Sequence, residues 1–465
     1  MIKYLTCSVI IAFTTFNCNI IMGQSYTPDD GWHDAQISLL ADKSIKAQQR
    51  IEWWREARFG MFIHWNPSSL SASEISWSKQ FYNDTGENLI ENPRPDAGYS
   101  GMKEHSEWLS WFKPAVPKEV YDNLSKSFYP GMFDADKFVA QAKGAGMKYI
   151  IMVSKHHDGF CMWDSKYTDF DIMNTPFKRD ILQEIATATR KAGLKFGIYY
   201  SQRDWHHPDY KPETMEKYNA FMRNQLNELL TNYGEISVLF FDSGEWKTWE
   251  LWEGDKLFKM AYELQPNIII NDRCGVPGDY TTPEQKLGGF NNKRSWESCM
   301  TLTGFWSWHG FQTPVISYET CLKYLISCAG GDGNLLMNIG PMPTGQIDPR
   351  EADRIKQVGE WLSKNGESIY GTRGGPFLPD SNLVSTYKRN HIYLHVFRGN
   401  NNLITLPGIS ENIVNVEILS GQRITFSQTK DRISFRLPVE YEVDVITVIK
   451  LTLDAMVSEK QIPVK

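Results

Sequence analysis

The sharpest chemical feature of the sequence is an apolar run that ends on a carboxylate. Ile236-Ser237-Val238-Leu239-Phe240-Phe241 leads directly into Asp242, with Ser243-Gly244 behind it. An acid placed at once after a buried strand stands at the strand's C-terminal end, where it can attack a carbon centre as a nucleophile. The plainer reading is an Asp that caps the next helix. Four other apolar runs end in the same manner. Phe59 to Ile63 is followed by His64-Trp65-Asn66, and Tyr149 to Val153 leads through Ser154 to Lys155-His156-His157-Asp158. Phe196 to Tyr200 is followed by Ser201 and Asp204-Trp205, and Ile268 to Ile270 by Asn271-Asp272-Arg273. A single His or Asp beside a core is usually a satisfied buried group. Polar groups at the same end of every run are better explained by one assembled site. Displacement at an anomeric carbon with a covalent intermediate needs a second carboxyl about 5–5.5 Å from the nucleophile. The candidates are Glu284, in Thr282-Pro283-Glu284, and Glu297, in Ser295-Trp296-Glu297.

These groups need a scaffold that gathers strand ends. The five runs are continuous rather than alternating, as strands covered on both faces must be. Helical stretches separate them, read as Asp134 to Gly144, Asp180 to Ala192 and Glu213 to Asn232. Repeated βα units predict a (β/α)8-like, TIM-type barrel over residues 24–370, whose reacting groups sit at the C-terminal strand ends. Beyond the breaker-rich link at Gly371 to Pro379 the period changes to two, as in His391-Ile392-Tyr393-Leu394-His395-Val396-Phe397. That pattern predicts a small antiparallel β-sandwich over residues 371–465. Residues 1–23, with Lys3 before Ser8-Val9-Ile10-Ile11-Ala12-Phe13, read as a signal peptide for export to the periplasm or beyond. Bulky Phe16 and polar Asn17 before Cys18 disfavour lipoprotein anchoring.

Composition narrows the partners. A formal charge of −6 offers no basic field for nucleic acid, and no later apolar run approaches membrane length. The five cysteines after the leader, Cys161, Cys274, Cys299, Cys321 and Cys328, are scattered, without C-x-x-C, and are expected as buried small hydrophobes. No H-E-x-x-H occurs, and neighbouring histidines on a strand end should face opposite sides, so no metal is expected. Phosphate loops, dinucleotide fingerprints and serine-nucleophile elbows are absent, and no cofactor is expected. The 16 Trp and 21 Tyr suit sugar faces or a large core. Trp65, Trp77, Trp163, Trp205, Trp296, Trp306 and Trp308 all fall on or beside the segments expected at the barrel rim.

Taken in order, Phe62-Ile63-His64-Trp65, Lys155-His156-His157-Asp158-Gly159-Phe160, Tyr199-Tyr200-Ser201, Phe241-Asp242, Asn271-Asp272-Arg273, Thr282-Pro283-Glu284, Trp296-Glu297 and Gly333-Asn334-Leu335-Leu336-Met337-Asn338-Ile339-Gly340-Pro341 resemble bacterial α-L-fucosidases of glycoside hydrolase family 29. The resemblance implies a retaining, exo-acting hydrolase of terminal α-L-fucose on an oligosaccharide or glycoprotein glycan. It makes Asp242 the nucleophile and Glu284 the acid/base, with Glu297 as runner-up. It places His64, His156 and His157 on fucose hydroxyls, Tyr200 near the nucleophile, and Arg273 beside it as a fixed charge. Trp306 would shield the C5 methyl group, and Trp77 would belong to the sugar-facing wall. Two other readings stay open at this point: a retaining glycosidase for a related sugar such as α-galactose, and a catalytically silent fucose-binding barrel.

Overall fold

In a computed structural model of the chain, the described residues are 44–81, 116–242, 251–397, 402–438 and 445–464. The expected signal segment and Ser243-Gly244 lie outside them. Seven parallel strands form one curled sheet: β1 (Phe59–Ile63), β2 (Tyr149–Lys155), β3 (Lys195–Tyr200), β4 (Val238–Phe241), β5 (Ile269–Ile270), β6 (Glu297–Thr301) and β7 (Asn334–Ile339). Their spatial order is β5-β4-β3-β2-β1-β7-β6. The two edges, β5 and β6, are joined by an extended segment. Asn271 bridges to Tyr280, Thr281 to Trp296 and Glu284 to Cys299, all in parallel. Glu297 N donates to Thr281 O at 2.9 Å, and Gln285 N to Cys299 O at 3.0 Å. Pro283 in the middle has no N–H for a ladder, so this eighth stave is irregular. The expected barrel class is the one that forms.

Strand alternation sorts the sheet's side chains into two cores. Phe62, Ile151, Val153, Tyr199, Val238, Phe240, Ile269 and Leu336 point into the barrel. Their neighbours Met61, Ile63, Met152, Ile198, Tyr200, Leu239, Phe241 and Ile270 meet the surrounding helices. The helices are α1 (Ile45–Ala57), whose Ile51, Trp54 and Ala57 join the inner core instead, the short α2 (Lys118–Asn123), and the surrounding α3 (Ala135–Gly144), α4 (Ile181–Lys191), α5 (Met215–Asn232), α6 (Gly254–Leu264), α7 (Tyr318–Gly330) and α8 (Pro349–Asn365). Asp134, Asp180, Ser317 and Asp348 each accept a first-turn N–H, so the expected starts at Asp134 and Asp180 are caps. The helix expected from Glu213 begins at Met215, after a single tight turn at Pro212–Thr214.

The C-terminal strands are β8 (Arg373–Gly374), β9 (Leu383–Lys388), β10 (His391–Phe397), β11 (Leu403–Pro407), β12 (Ile413–Ile418), β13 (Phe426–Gln428), β14 (Arg432–Arg436) and β15 (Ile446–Leu453). They make a five-stranded sheet, β12-β15-β10-β9-β8, facing a three-stranded one, β11-β14-β13. Ile392, Leu394, Ile404, Leu406, Ile433, Phe435, Ile449 and Leu451 fill the space between. The other face of the larger sheet joins the barrel's outer core through Val384, Tyr393, Phe397 and Val448. Gly330 ends α7 against β9, where a Cβ would lie 2.0 Å from Val384 Cγ1. The sandwich therefore packs against the barrel at a close contact, where a side chain in place of Gly330 would have to displace Val384.

Candidate active site

The alternation that sends Val238 and Phe240 inward sends Asp242 inward too, one step past the end of β4. Its neighbours are fixed before any ligand arrives. Asn271 extends the β4–β5 pairing with its side chain, accepting from Phe241 N and donating to Phe241 O, both at 2.9 Å. Asp242 N donates to Gln202 Oε1 at 3.0 Å. Tyr199 Oη donates to Asp242 Oδ2 at 2.7 Å. Arg273 Nη1 donates to Asp242 Oδ1 at 2.8 Å and to Glu284 Oε2 at 2.7 Å, so those two oxygens lie no more than 5.5 Å apart. The guanidinium is held by Thr282, which accepts Nε–H on Oγ1 at 2.7 Å and Nη2–H on its carbonyl at 2.9 Å. Burial alone would raise the Asp242 carboxyl. The charge of Arg273 and the bonds from Tyr199 and Arg273 outweigh it and hold the group at about 2, ionised at any working pH.

Three histidines line the same cavity. His64 Nδ1 donates to Asn338 Oδ1 at 2.7 Å, and Asn338 Nδ2 donates to Trp306 O at 2.7 Å. His156 Nδ1 contacts Ser76 Oγ and His157 Nδ1 contacts Ser201 Oγ, each at 2.6 Å. Burial pushes His64 down to about 4, His157 to about 3, and His156 well below the usual imidazole range. All three are neutral near pH 7, and neutral imidazoles can donate to or accept from hydroxyl groups.

The expectation that His156 and His157 face opposite sides does not hold. Both come after Lys155, the last residue of β2, in a turn where strand alternation no longer applies, and their ring centroids are 4.1 Å apart. With Asp242 they place ligand atoms within 4.8 Å of one another, a set that could hold a metal ion. The Arg273 guanidinium, 2.8 Å from Asp242, opposes a second cation there.

Aromatic side chains frame the cavity. Trp306 lies 4.7 Å from His64 between ring centroids, Trp77 lies edge-on 5.4 Å from His157, and Trp205 packs 5.3 Å from Trp77. The other tryptophans counted toward the rim divide differently. Trp65 and Trp163 are fully buried in the barrel–helix core, and Trp296 fills the space left by Gly288, Gly331 and Gly333. Trp308 donates to Asp348 at 3.1 Å. The five described cysteines are buried and unbridged.

Two expected site residues lie elsewhere. Tyr200 points outward, donates to Gln225 Oε1 at 2.8 Å, and sits beneath the buried Lys155 ammonium. Tyr199, in register with Phe240, takes the position expected of it. Tyr199→Phe should lower kcat/KM about tenfold by removing a hydrogen bond to a charged oxygen. Tyr200→Phe should leave kcat/KM within about twofold and lower stability by about 1 kcal/mol. Steady-state kinetics and denaturant melts on both variants check the pair.

Glu297 opens β6 rather than ending it, so it lies at the barrel's opposite end, where Tyr149, the first residue of β2, donates to its carboxylate. It is fully buried there and cannot serve as acid/base beside Asp242. Burial raises its carboxyl to about 8. The folded chain then keeps a proton that the unfolded chain releases, so stability from this group is full below about pH 4 and falls as pH rises toward 8. Glu297→Gln should keep activity within about threefold and gain more in melting temperature at pH 8 than at pH 5.

Tyr199, Gln202, Asn338 and Ser76 were not anticipated. The alternation fixed by Asp242 and the parallel register would have found Tyr199. Asn338, on β7 in phase with the inward Leu336, would have been found by the same rule, whereas Gln202 and Ser76 act through loop geometry that no spacing announces.

Comparison with known proteins places this geometry among relatives. The sequence family described as alpha-L-fucosidase matches residues 32–367. The plasma alpha-L-fucosidase of Homo sapiens is 29% identical over 364 residues, covering 71% of each chain. Alpha-L-fucosidase isoenzyme 1 from Paenibacillus thiaminolyticus shares the fold with a TM-score of 0.76 and 33% identity, over 88% of this chain and 100% of that one. An alpha-L-fucosidase of Bacteroides thetaiotaomicron, solved as a trapped covalent intermediate in complex with 2-fluoro-fucosyl fluoride, aligns with a TM-score of 0.74 and 27% identity, over 88% and 96%.

Proposed function

The chain belongs to the alpha-L-fucosidase family of glycoside hydrolases, and from that premise we propose that it removes terminal α-L-fucose by double displacement with retention. Asp242 attacks the anomeric carbon from the face opposite the aglycone. The glycosidic C–O bond breaks as Glu284 gives its proton to the departing oxygen, and a β-fucosyl ester forms on Asp242. Water then gives a proton to Glu284 and attacks the same carbon. The ester C–O bond breaks, and α-L-fucose leaves with both carboxyls restored. The observation that carries this reading is the single Arg273 nitrogen shared by the two carboxyls, which keeps their nearest oxygens within 5.5 Å. That spacing suits a nucleophile and leaves little room for a water between the pair. The covalent intermediate trapped in the Bacteroides relative supports the same chemistry.

Arg273 also balances charge through the cycle. It faces ionised Asp242 at the start and ionised Glu284 once the ester has formed, so one anion stays paired throughout. His64, His156 and His157 hold the ring hydroxyls, Trp306 covers the C5 methyl group, and Trp77 closes the wall beside His157. The leader-like composition around Lys3 supports export, which would bring the enzyme to glycans outside the cytoplasm. Among the described residues no helix is long and apolar enough to cross a membrane. Proton NMR during hydrolysis of an aryl α-L-fucoside tests the reading, with α-L-fucose expected before mutarotation. First appearance of the β anomer would overturn retention. Cleavage of the aryl α-galactoside and not the fucoside would overturn the substrate.

A further inference from the structure

A buried carboxyl group outside the reacting pair joins two loops of the cavity. Glu74 is fully buried in the loop after β1. Its Oε2 accepts Trp306 N–H at 3.1 Å, and its Oε1 accepts Ser307 N–H at 3.1 Å, both from the loop after β6. Ile75 N–H reaches the same Oε1 at 3.2 Å and Ser307 Oγ at 2.9 Å. Ser307 Oγ–H closes the circuit onto Ser73 O at 2.8 Å. Among the described residues Glu74 is met by the N–H groups of Ile75, Trp306 and Ser307 rather than by a cation, and burial raises its carboxyl to about 8. An acid buried in this way is costly unless its oxygens are filled, and here the filling groups belong largely to a different loop.

The latch lies between two parts of the sugar cavity. On one side is Trp306, whose ring sits against His64 and whose carbonyl is held by Asn338. On the other is Ser76, which contacts His156 Nδ1 and accepts Asp158 N–H at 2.8 Å, with Trp77 next to it against His157. We infer that Glu74 is a positioning residue for fucose specificity, fixing the Trp306 wall against the β1 loop so that the wall meets the C5 side of the sugar. This rests on the reading of Trp306 as the cover of the methyl group. Glu74 does not touch the reacting atoms. It acts through the placement of Trp306, so its loss should register in recognition of the methyl group before it registers in the chemical step.

A glutamine at this position has only one acceptor oxygen. Whichever way its amide is turned, the NH2 group meets at least one backbone N–H, and the latch opens. The test uses the full chain with Glu74→Gln, and Ser307→Ala as a milder opening of the same circuit. Substrates are the 4-nitrophenyl α-L-fucoside and the D-arabinopyranoside of the same anomeric geometry, which is the same ring without its methyl group. Glu74→Gln should lower kcat/KM on the fucoside about 30-fold, mostly through KM, and on the arabinoside only about threefold, so the preference falls about tenfold (about 1.4 kcal/mol). Ser307→Ala should move the same ratio less. A double-mutant cycle with Trp306→Ala should show the effect of Glu74→Gln largely gone in the Trp306→Ala background. Equal losses on both substrates, or an undiminished effect in that background, would overturn the inference. A parent enzyme with no preference for the fucoside would instead overturn the reading of Trp306, and the cycle would still decide whether Glu74 acts through it.

Discussion

Asp242→Ala should lower kcat on aryl and natural fucosides by on the order of 10³-fold or more, the largest loss expected of any single change in this chain. Glu284 shares an arginine nitrogen with Asp242, but the proposed mechanism needs it on the aglycone side. Tyr199 and Arg273, which hold Asp242 ionised, would be left aimed at an empty position. The cavity created beside Arg273 is small and positively flanked, which suits a small anion. Azide should therefore restore turnover with an activated aryl fucoside and yield the β-L-fucosyl azide, because it attacks from the face the carboxylate used. Recovery of the α-azide from this variant, or a loss of less than about tenfold, would remove Asp242 from the nucleophile's role. Its circular dichroism should match the parent's, since Asp242 lies past the end of β4 and bears no strand hydrogen bond with its side chain.

The part of this site that was legible in the sequence is the part set by strands. Continuous apolar runs mark strands buried on both faces, and the residues just past each run land at one end of the barrel, so Asp242, His64 and Arg273 could be placed from the chain's pattern alone. The same rule carried further would have separated Tyr199 from Tyr200, because alternate residues face opposite cores and Asp242 fixes the phase. Glu297 misled for a related reason. Ser295-Trp296-Glu297 resembles a rim segment, yet these residues enter β6 instead of leaving it, which puts the acid at the wrong end. The eighth stave was not legible, since Pro283 interrupts the ladder and its pairing survives only as isolated bridges. Nor was the closeness of His156 and His157, which belongs to a turn and not to a strand. Tryptophan count pointed toward sugar faces, but Trp65, Trp163 and Trp296 fill core volume, while Trp77, Trp205 and Trp306 frame the cavity.

The acid/base assignment has a sharper signature than a loss of rate, because the proposed mechanism uses Glu284 in two steps that differ in their need for it. Glu284→Ala should lower kcat/KM on a natural glycan about 10²- to 10³-fold, since a sugar alkoxide is a poor leaving group without a proton. On 4-nitrophenyl α-L-fucoside the first step should lose far less, because that group departs as a stable anion. The second step lacks its base whatever the substrate, so the fucosyl ester should accumulate. A burst of nitrophenol, a lowered kcat and a lowered KM should appear together. Azide, which needs no general base, should then speed turnover and give the α-L-fucosyl azide, formed from the face the aglycone left. The same experiment on Glu297→Ala should show neither burst nor rescue, because that side chain lies at the far end of the barrel against Tyr149. Azide rescue of Glu297→Ala without rescue of Glu284→Ala would reverse the assignment. It would also require that Arg273, which links Glu284 to Asp242 in this structure, release Glu284 and find another partner during turnover.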